Sequence, residues 1–307
     1  MSQQLSRGHM RRRHVFRGTL VMDTALHIGG GREQISASDS PIIRDPLGRP
    51  YIPGSSFKGA FRAAVERLVP NLAHLGLHTC ALQPGYAACM STNKSLDDAY
   101  GVLTGLMGRA LRDSEAITQA LETLQLQEVA GQTVTDALLL KALDRWLCAT
   151  CKVFGSPRLA ALTQFADLPV QEPWLDIVQV RDGVGIDRDS ERARERIKYD
   201  YEVVPPGTGF GFFLTVENAA LRDLGLVAIG LQELVNGMVT LGGIRSRGLG
   251  RCHLEDLQVQ MVDFENTAAL TSYLTQGPPA LQDAAPLLNQ AIQQLLNPEA
   301  QNAQTTG

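Results

Sequence analysis

The sequence predicts an α+β protein with a ferredoxin-like core that is interrupted by a long insertion. Two segments, Gly209–Glu217 and residues 251–262, alternate apolar and polar side chains as half-buried strands do. The segment from Phe57 to Leu68 repeats apolar residues at helical spacing. The elements follow the order strand, strand, helix, insertion, strand, helix, strand, which we interpret as the βαββαβ-like order of that fold with insertions.

The first part of the predicted core contains two strands. Residues 1–14 are basic and polar, and we expect them to be flexible. Residues 15–27 are rich in apolar and β-branched side chains, which favours the first strand. A short second strand is expected at residues 41–44, and the Asp-Pro-Leu-Gly sequence at residues 45–48 predicts a turn.

A helix is predicted directly after Gly54. Ser55 or Ser56 can accept hydrogen bonds from the free N–H groups of its first turn, as N-cap residues do. Lys58 and Arg62 are four residues apart and therefore share one face near the start of the helix. A helix start with hydroxyls and two cations is a suitable seat for a phosphate group, although plain solvent exposure would also explain these polar residues.

The region after this helix differs from the core, and we interpret it as an inserted subdomain with helices at residues 95–110 and 113–146. A polar, charged stretch with two central glycines follows and predicts a β-hairpin. An apolar helix is expected at residues 224–240, and an amphipathic one at residues 281–296 before a disordered end. The predicted divisions are 15–70 with 200–262 for the core, 71–160 for the insertion, 174–201 for the hairpin, and 263–307 for the C-terminal helix and tail.

Composition and charge restrict the class of partner. With 307 residues, 44% of them hydrophobic, the chain can form a sizeable core. A net charge of −4 and a pI of about 5.9 argue against binding a polyanion through a global positive field. Basic residues nevertheless cluster beside glycines and loops, which indicates either a local track for a polyanion or solvated faces. These clusters lie at residues 7–14, 44–62, 181–198 and 245–251.

The sequence predicts no association with a membrane. Its apolar runs are far shorter than the roughly 20 residues that a spanning helix needs. The N-terminal stretch is basic but is not followed by the apolar region of a signal peptide. We therefore expect a cytoplasmic protein.

A glycine-rich loop precedes the last predicted strand, at residues 241–250. Glycine lets a backbone approach a ligand closely and adopt positive φ. Arg245 and Arg247 lie between the glycines, and guanidinium groups together with free N–H groups suit a phosphate chain. A tight turn with solvent-facing arginines is the alternative. The loop lacks the G-x-x-x-x-G-K-[ST] pattern of a nucleotide-binding P-loop.

Four of the five cysteines fall in the inserted region. Two of them form a C-x-x-C pair, and the other two are nine residues apart. Four thiolates can enclose a tetrahedral structural Zn²⁺, and His78 could replace one of them. Inert buried thiols are the alternative, and we expect the fifth cysteine to lie in the core. The four candidate ligands are Cys80, Cys89, Cys148 and Cys151, and the fifth cysteine is Cys252.

Several blocks of sequence, taken in order, closely resemble the RAMP superfamily of CRISPR-associated proteins. The likeness is greatest to the repeated backbone subunit of type III effector complexes. Together the blocks extend over about residues 20–255, and their order and spacing make the resemblance specific. They are HIGG from His27, DSPIIRD from Asp39, YIPGSSFKGAFR from Tyr51, RDGVGIDR from Arg181, YDYEVVP from Tyr199 and GGIRSRGLG from Gly242.

The resemblance implies an RRM-like palm, an insertion of a kind that carries zinc in this superfamily, and a β-hairpin thumb. Such subunits stack along a guide RNA with copies or homologues of themselves and with other effector subunits. Each thumb displaces one nucleotide of the duplex between guide and target RNA. The protein then reads backbone shape while base pairing reads sequence.

The resemblance also implies roles for individual residues. Asp39 is at the position of the aspartate that cleaves target RNA at regular intervals with a divalent cation such as Mg²⁺. The expected reaction is attack of a ribose 2′-hydroxyl on the adjacent phosphate, which leaves a cyclic phosphate end. We expect contacts to guide RNA from His27, Ser55, Ser56, Lys58, Arg62, Arg181, Arg245, Arg247 and Arg251.

Two alternative functions stay open at this point. Asp39 could merely cap a turn, as many Asp-Ser-Pro sequences do, and the chain would then be an architectural RNA-binding subunit of the same assembly. His27 could instead act as a general base in a guide-processing nuclease.

Overall fold

The computed structural model describes residues 8–30, 38–83, 89–109, 115–126, 133–174, 176–186 and 193–297, and for residues 184–186 and 193–198 the backbone alone. The chain is a mixed α/β protein built on one five-stranded antiparallel sheet. The sheet follows the order β3-β7-β1-β8-β9. Its strands are β1 (Arg12–Met22), β3 (Thr163–Phe165), β7 (Gly209–Glu217), β8 (Cys252–Asp263) and β9 (Gln282–Asp283).

The central strand β1 starts and ends earlier than predicted, at 12 and 22 instead of 15 and 27. Part of the stretch that was expected to be flexible is therefore strand. The reason is that Arg12 pairs with Asp263 at 3.0 Å and Arg13 with Glu217 at 2.8 Å, across the two neighbouring strands. Cross-strand opposite charges stabilise such pairs, so basic residues extend the sheet here.

The prediction of a strand at residues 41–44 was wrong. Ile42 and Arg44 form isolated bridges, with Gly29 and Pro50 respectively, so the segment runs beside other chain segments without a regular ladder. A two-residue strand follows instead, β2 (Tyr51–Ile52), and pairs with β4 (Leu168–Pro169). The turn at residues 45–48 is present, with the Gly48 N–H donating to the Asp45 carbonyl.

Three helices complete the core around this sheet: α1 (Gly54–Leu68), α6 (Leu221–Val235) and α8 (Ala285–Leu296). Helix α6 begins three residues before its predicted start and ends five residues before its predicted end. Two glycines allow close helix packing. A Cβ on Gly230 would lie 2.4 Å from the ring of Phe61 in α1, and one on Gly225 would lie 2.7 Å from Leu295 in α8.

The inserted region has a hydrophobic core of its own, built from residues such as Leu96, Leu103 and Leu138. Its helices are shorter than the two helical stretches that the sequence predicts at residues 95–110 and 113–146. The last of them also contributes Val153 and Phe154 to the main core, so it belongs to both cores. The four helices are α2 (Lys94–Thr104), α3 (Glu115–Thr123), α4 (Asp136–Trp146) and α5 (Ala149–Phe154).

The strands β5 (Gln179–Ile186) and β6 (Ala193–Val203) form an antiparallel hairpin that lies between β4 and β7 in the chain. The root of the hairpin is the end of β6 around Tyr201 and Val203. It is anchored because both side chains are buried in a small cluster with Ala25 and Leu249. The position of β6 therefore depends on packing against the chain that follows β1 and against the glycine-rich loop.

The C-terminal region holds one helix more than predicted, α7 (Thr267–Gln276), before α8. Helix α8 buries Leu288, Ala291 and Leu295 against the core, and its start differs from the predicted one because residues 282–283 join the sheet as β9. Of the predicted disordered end, residues 297–307, Asn297 follows α8 directly and the other residues lie outside the described ones. Within the described part of the chain, the helices are too short or too polar to cross a bilayer.

His14 on β1 is a buried titratable group whose burial opposes protonation. It is 2% exposed, and its Nδ1 has no hydrogen-bond partner among the described residues. Burial, with a smaller contribution from the charge of Arg12, lowers its pKa from 6.5 to about 4. Below pH 6.5 the unfolded chain binds a proton here that the folded chain binds only near pH 4. The free energy of unfolding must therefore fall as pH drops through this window.

We expect His14→Phe to remove this part of the pH dependence. Between about pH 7 and pH 5 the wild type should lose about 2 kcal/mol more unfolding free energy than the variant. Denaturant unfolding at the two pH values measures this difference. Replacing the exposed His74 with alanine is the control and should leave the wild-type loss unchanged. Equal losses in the wild type and His14→Phe would contradict the prediction.

Candidate functional site

His27 is a buried hydrogen-bonding centre that joins three distant segments. It is 8% exposed. Its Nδ1 lies 2.7 Å from the Glu202 carbonyl of β6, and its Nε2 lies 3.3 Å from the Ser40 hydroxyl. Its own carbonyl accepts a hydrogen bond from the Gly243 N–H at 2.9 Å. The ring is enclosed and both of its nitrogens have partners inside the protein. A contact of His27 with RNA stays a prediction.

Asp39 lies next to the carboxylate of a residue that the sequence does not single out, Asp200 on β6. The Asp39 N–H donates to Asp200 Oδ1 at 2.6 Å, and the Asp200 N–H donates to Asp39 Oδ2 at 3.1 Å. Asp39 itself is exposed and Asp200 is half-exposed. Each carboxylate thus accepts the backbone N–H of the other residue, which fixes the two aspartates beside each other at the root of the hairpin.

The segment that carries Asp39 follows β6 over several residues. Ser40 bridges Tyr201 in parallel, and its carbonyl accepts a hydrogen bond from the Glu202 N–H at 3.0 Å. The Glu202 carboxylate accepts from the Ile42 N–H and from Arg44, both at 3.1 Å. The backbone position of Asp39 is therefore fixed on one side by the hairpin.

Asp45, the acidic residue nearest in sequence to this segment, is used inside its own turn. Its Oδ1 accepts from the N–H groups of Leu47 and Arg49, each at 2.9 Å. Those bonds, that of the Arg49 N–H first, hold the pKa of Asp45 below its usual value. The second carboxylate near Asp39 is therefore Asp200, which the resembling block YDYEVVP contains and which lies 161 residues away in the chain.

The start of helix α1 is capped differently from the prediction. The helix begins at Gly54, so Ser55 and Ser56 lie inside its first turn and do not act as N-caps. The Gly54 N–H instead donates to Asp167 Oδ1 at 2.7 Å. Both serines are exposed and Lys58 is half-buried, so these side chains remain accessible to a ligand. The Asp167 carboxylate already occupies one of the N–H groups that an anion would use.

Arg62 does not share the exposed face that its spacing from Lys58 suggested. It is only 9% exposed, and its guanidinium forms an ion pair with Glu66 at 2.8 Å. The same group donates to the Gly155 carbonyl at 2.9 Å and to Cys151 Sγ at 3.3 Å. All of these contacts are inside the protein, and a contact of Arg62 with RNA stays a prediction.

The glycine-rich loop uses two of its glycines for packing within the protein. A Cβ on Gly242 would lie 2.2 Å from the His27 carbonyl oxygen, and one on Gly250 would lie 2.0 Å from that of Leu241. Both residues also have positive φ, at 73° and 84°. Only glycine fits these positions, so the loop composition is required by the fold as well as by any ligand.

Arginines on and beside this loop face solvent. Arg245 and Arg247 lie in one 3₁₀ turn, and Arg251 follows the loop; all three are exposed. Arg247 also donates a hydrogen bond to the hydroxyl of Tyr199 on β6, which links the loop to the hairpin. Arg181 lies on β5 opposite Tyr201 and is half-buried. The loop and the hairpin thus carry accessible cations close to the root where Asp39 lies.

The four cysteines of the insertion converge on one point. All four are buried, and their sulfur atoms lie within 4.8 Å of one another. The Cys80–Cys151, Cys80–Cys148 and Cys89–Cys151 sulfur distances are 3.6, 3.7 and 3.9 Å. Four thiolates at about 2.3 Å from one Zn²⁺ would stand about 3.8 Å apart in a regular tetrahedron. The cluster could therefore hold a metal ion, and its spacing fits zinc.

Hydrogen bonds among the four thiols shift their pKa values away from the usual thiol value. The bond with Cys148, the largest effect, holds the pKa of Cys89 far below its usual range. The bonds with Cys151 and then Cys80 lower the pKa of Cys148 to about 6. Cys252 is buried elsewhere in the core, as predicted, and burial raises its pKa to about 12.

We expect the cysteine cluster to bind one metal ion per chain. Because the ligands come from segments separated by loops, metal binding should stabilise the inserted subdomain. A strong chelator should therefore lower the melting temperature of the protein. Native mass spectrometry gives the number of ions bound. Cys80→Ser should lose the ion, whereas Cys252→Ser should retain it. Retention by both variants would contradict a four-thiolate site.

Comparison with known proteins places the chain in a family. A family model of the RAMP superfamily matches residues 19–253, which is most of the chain. Proteins named "CRISPR system Cms endoribonuclease Csm3" are similar over shorter stretches. That of Methanocaldococcus jannaschii is 47% identical over 55 residues, that of Methanothermobacter thermautotrophicus 41% over 70, and that of Enterococcus italicus 48% over 63.

These alignments cover 17%, 22% and 20% of this chain and 22%, 29% and 27% of the respective relatives. The matched part is thus less than a third of each relative's length. The family assignment does not depend on these short alignments, because the family model spans the core, the insertion and the hairpin. The chain belongs to the RAMP superfamily.

Proposed function

We propose that this protein is a guide-RNA-binding backbone subunit of a type III CRISPR effector complex and that it cuts guide-paired target RNA at regular intervals. The observation that carries the proposal is the reciprocal hydrogen bonding of Asp39 and Asp200 at the root of the hairpin, with Asp39 exposed to solvent and Asp200 half-exposed. The name endoribonuclease, which the similar proteins bear, agrees with a cutting activity.

We also infer that the five-stranded sheet is a ferredoxin-like palm and that the hairpin of β5 and β6 is the thumb. The strand order β8-β1-β7-β3 supports this, because it equals the order 4-1-3-2 of a βαββαβ unit. Helix α1 lies between β1 and β3 in the chain, and helix α6 lies between β7 and β8. The thumb would enter the duplex between guide and target and displace a nucleotide beside Asp39.

The carboxylate pair suits cleavage by the ribose 2′-hydroxyl. The oxygen of that hydroxyl attacks the adjacent phosphorus, the bond to the 5′-oxygen breaks, and a 2′,3′-cyclic phosphate remains. The Asp39 carboxylate is placed to orient the hydroxyl and accept its proton, while the leaving 5′-oxygen takes a proton from water. Asp200 keeps Asp39 in place by accepting its backbone N–H.

The donor set near Asp39 also fits a hard divalent cation. Mg²⁺ in proteins is held by one or two carboxylates together with phosphate oxygens of the substrate. Asp39 and Asp200 would supply the carboxylates. A bound cation would neutralise negative charge that develops on the phosphate.

The RNA would follow the exposed cations around this root. The accessible candidates are Arg245 and Arg247 of the glycine-rich loop, Arg251 directly after it, Arg181 of the hairpin, and Ser55, Ser56 and Lys58 near the start of α1. The proposed Zn²⁺ of the four cysteines has a structural role, because a site closed by four protein ligands leaves no position for a substrate.

A catalytically silent, architectural subunit of the same complex is the second candidate. The reciprocal hydrogen bonds of Asp39 favour it in part, because a carboxylate that fixes a local fold can serve structure alone. The guide-processing alternative through His27 is disfavoured, because that ring is buried and engaged with Glu202 and Ser40.

Replacement of Asp39 separates the first two candidates. In the assembled complex, Asp39→Ala and Asp39→Asn should each slow target cutting at least about a hundredfold, because both remove the negative charge. The asparagine retains an oxygen that can accept the Asp200 N–H and so preserves the local fold. RNA affinity should be unchanged in both.

Asp45→Asn is the matched control in the same segment and should cut as fast as the wild type. Undiminished cutting by both Asp39 variants would contradict a catalytic role for Asp39. A wild-type complex that binds guide and target but never cuts would favour the architectural subunit.

The proposed RNA track predicts a salt dependence. The double variant Arg245→Gln and Arg251→Gln should bind single-stranded guide RNA more weakly. The slope of log K against log salt should shrink by roughly 0.7 for each phosphate that the variant no longer neutralises. Arg67→Gln, at an exposed arginine of α1, is the control and should keep the wild-type slope. Identical slopes for the double variant and the wild type would exclude the track at this loop.

A further inference from the structure

Arg62 is the one buried cation that reaches the cysteine cluster among the described residues. Its Nη2 donates to Cys151 Sγ at 3.3 Å, and its Nη1 donates to the Gly155 carbonyl at 2.9 Å. Its Nε binds Glu66, one turn along α1, at 2.8 Å. All polar ends of this side chain are therefore engaged, one of them by a candidate metal ligand.

A four-thiolate metal site carries an unusual charge. One Zn²⁺ with four thiolates has a net charge of −2, and burial makes that charge costly unless donors surround the sulfurs. Cys151 receives two such donors from outside the cluster, the Ser91 hydroxyl at 3.2 Å and the Arg62 guanidinium. A charged donor forms the stronger hydrogen bond to a thiolate, whereas a neutral thiol is a poor acceptor.

The contact also crosses a structural boundary. Cys151 belongs to the core of the insertion, whereas Val153 and Phe154, on the same short helix α5, belong to the main core. Phe154 packs edge-on against Phe61 of α1, with ring centroids 5.9 Å apart. Arg62 is the next residue on α1, so the polar contact to Cys151 and this aromatic contact hold the same two helices together.

We propose that Arg62 stabilises the metal-bound state of the cysteine cluster and couples helix α1 to it. This inference rests on the proposed zinc site. It gives Arg62 a positioning role in place of the RNA contact that its spacing suggested. The metal then orders the helix whose first turn presents Ser55, Ser56 and Lys58 to solvent.

Metal affinity of matched variants tests the first half of the proposal. Arg62→Met alone would leave the Glu66 carboxylate, whose side chain is 10% exposed, buried without its partner. The test variant is therefore the double replacement Arg62→Met and Glu66→Gln. Glu66→Gln alone is the control, because it removes the ion pair and keeps the guanidinium on Cys151. In chelator competition, the double variant should bind Zn²⁺ about 10–100-fold more weakly, and Glu66→Gln should match the wild type.

Arg62→Lys provides a second measurement if the double variant fails to fold. It keeps the positive charge but lacks the planar fork that donates to Cys151, Gly155 and Glu66 together. In the Co²⁺-loaded protein, the thiolate-to-metal charge-transfer absorption should shift in Arg62→Lys and stay at the wild-type position in Glu66→Gln. Unchanged affinity in the double variant, or an unchanged spectrum in Arg62→Lys, would overturn the role of Arg62 at the metal.

Amide hydrogen exchange tests the coupling to α1. Removing the metal from the wild type should speed exchange in the second and third turns of α1, and removing it from the Arg62 variants should have less effect. Equal exchange in metal-loaded and metal-free wild type would overturn the coupling. A wild type that binds no metal would mean that the zinc site itself fails, which the affinity measurement distinguishes from a failure of Arg62.

Discussion

The buried imidazole of His27 is the interaction on which the arrangement of the candidate site depends. Its two ring nitrogens contact β6 and Ser40, and its carbonyl contacts the glycine-rich loop. An imidazole enclosed in this way is costly unless its nitrogens find partners, so β6 and Ser40 are held where those partners must be. The His27 carbonyl holds the glycine-rich loop through the Gly243 N–H. This arrangement also positions Asp39, because the adjacent Ser40 is one of the partners of the His27 ring. The hairpin, the loop and Asp39 therefore form one unit.

A second constraint joins the core of the inserted region to the main core. Helix α5 has six residues, too few to be stable alone, yet it supplies Cys151 to one core and two large apolar side chains to the other, with Cys148 directly before it. A metal ion on the cysteines would fix one face of this helix, and packing against Phe61 fixes the other. The insertion is thus packed against the main core through α5. Its proposed metal centre lies within hydrogen-bond distance of the helix that carries the proposed phosphate seat.

The basic residues divide according to what surrounds them. Arg12, Arg13, Arg44 and Arg62 form ion pairs with acidic residues that lie far away in sequence or one helical turn along. Arg245 and Arg251 face solvent beside the hairpin root. A local positive surface can therefore exist on a chain whose net charge is negative, because these ion pairs neutralise part of the positive charge while the arginines at the glycine-rich loop stay exposed.

The sequence by itself determined the first strand, the helix after Gly54, the strand at Gly209–Glu217, the helix before the last strand and the candidate metal ligands. It also placed a strand at residues 41–44, where none forms, and missed β3 of the sheet. Periodicity and spacing are local properties, and they identify elements and pairs such as Cys148 and Cys151. The resemblance of ordered blocks pointed to the family and to Asp39. Charge and spacing could not reveal that Arg62 turns inward, since one helix face can meet solvent or another core.

Only the tertiary structure decided which distant residues meet. Asp200 is the partner of Asp39 because the hairpin returns beside the segment at Ser40, and no local pattern links residues 161 positions apart. Asp167 caps α1 in place of Ser55 or Ser56 because the chain before β4 passes the helix start. Such contacts depend on how elements pack, and packing follows from the complete set of buried surfaces rather than from any one segment.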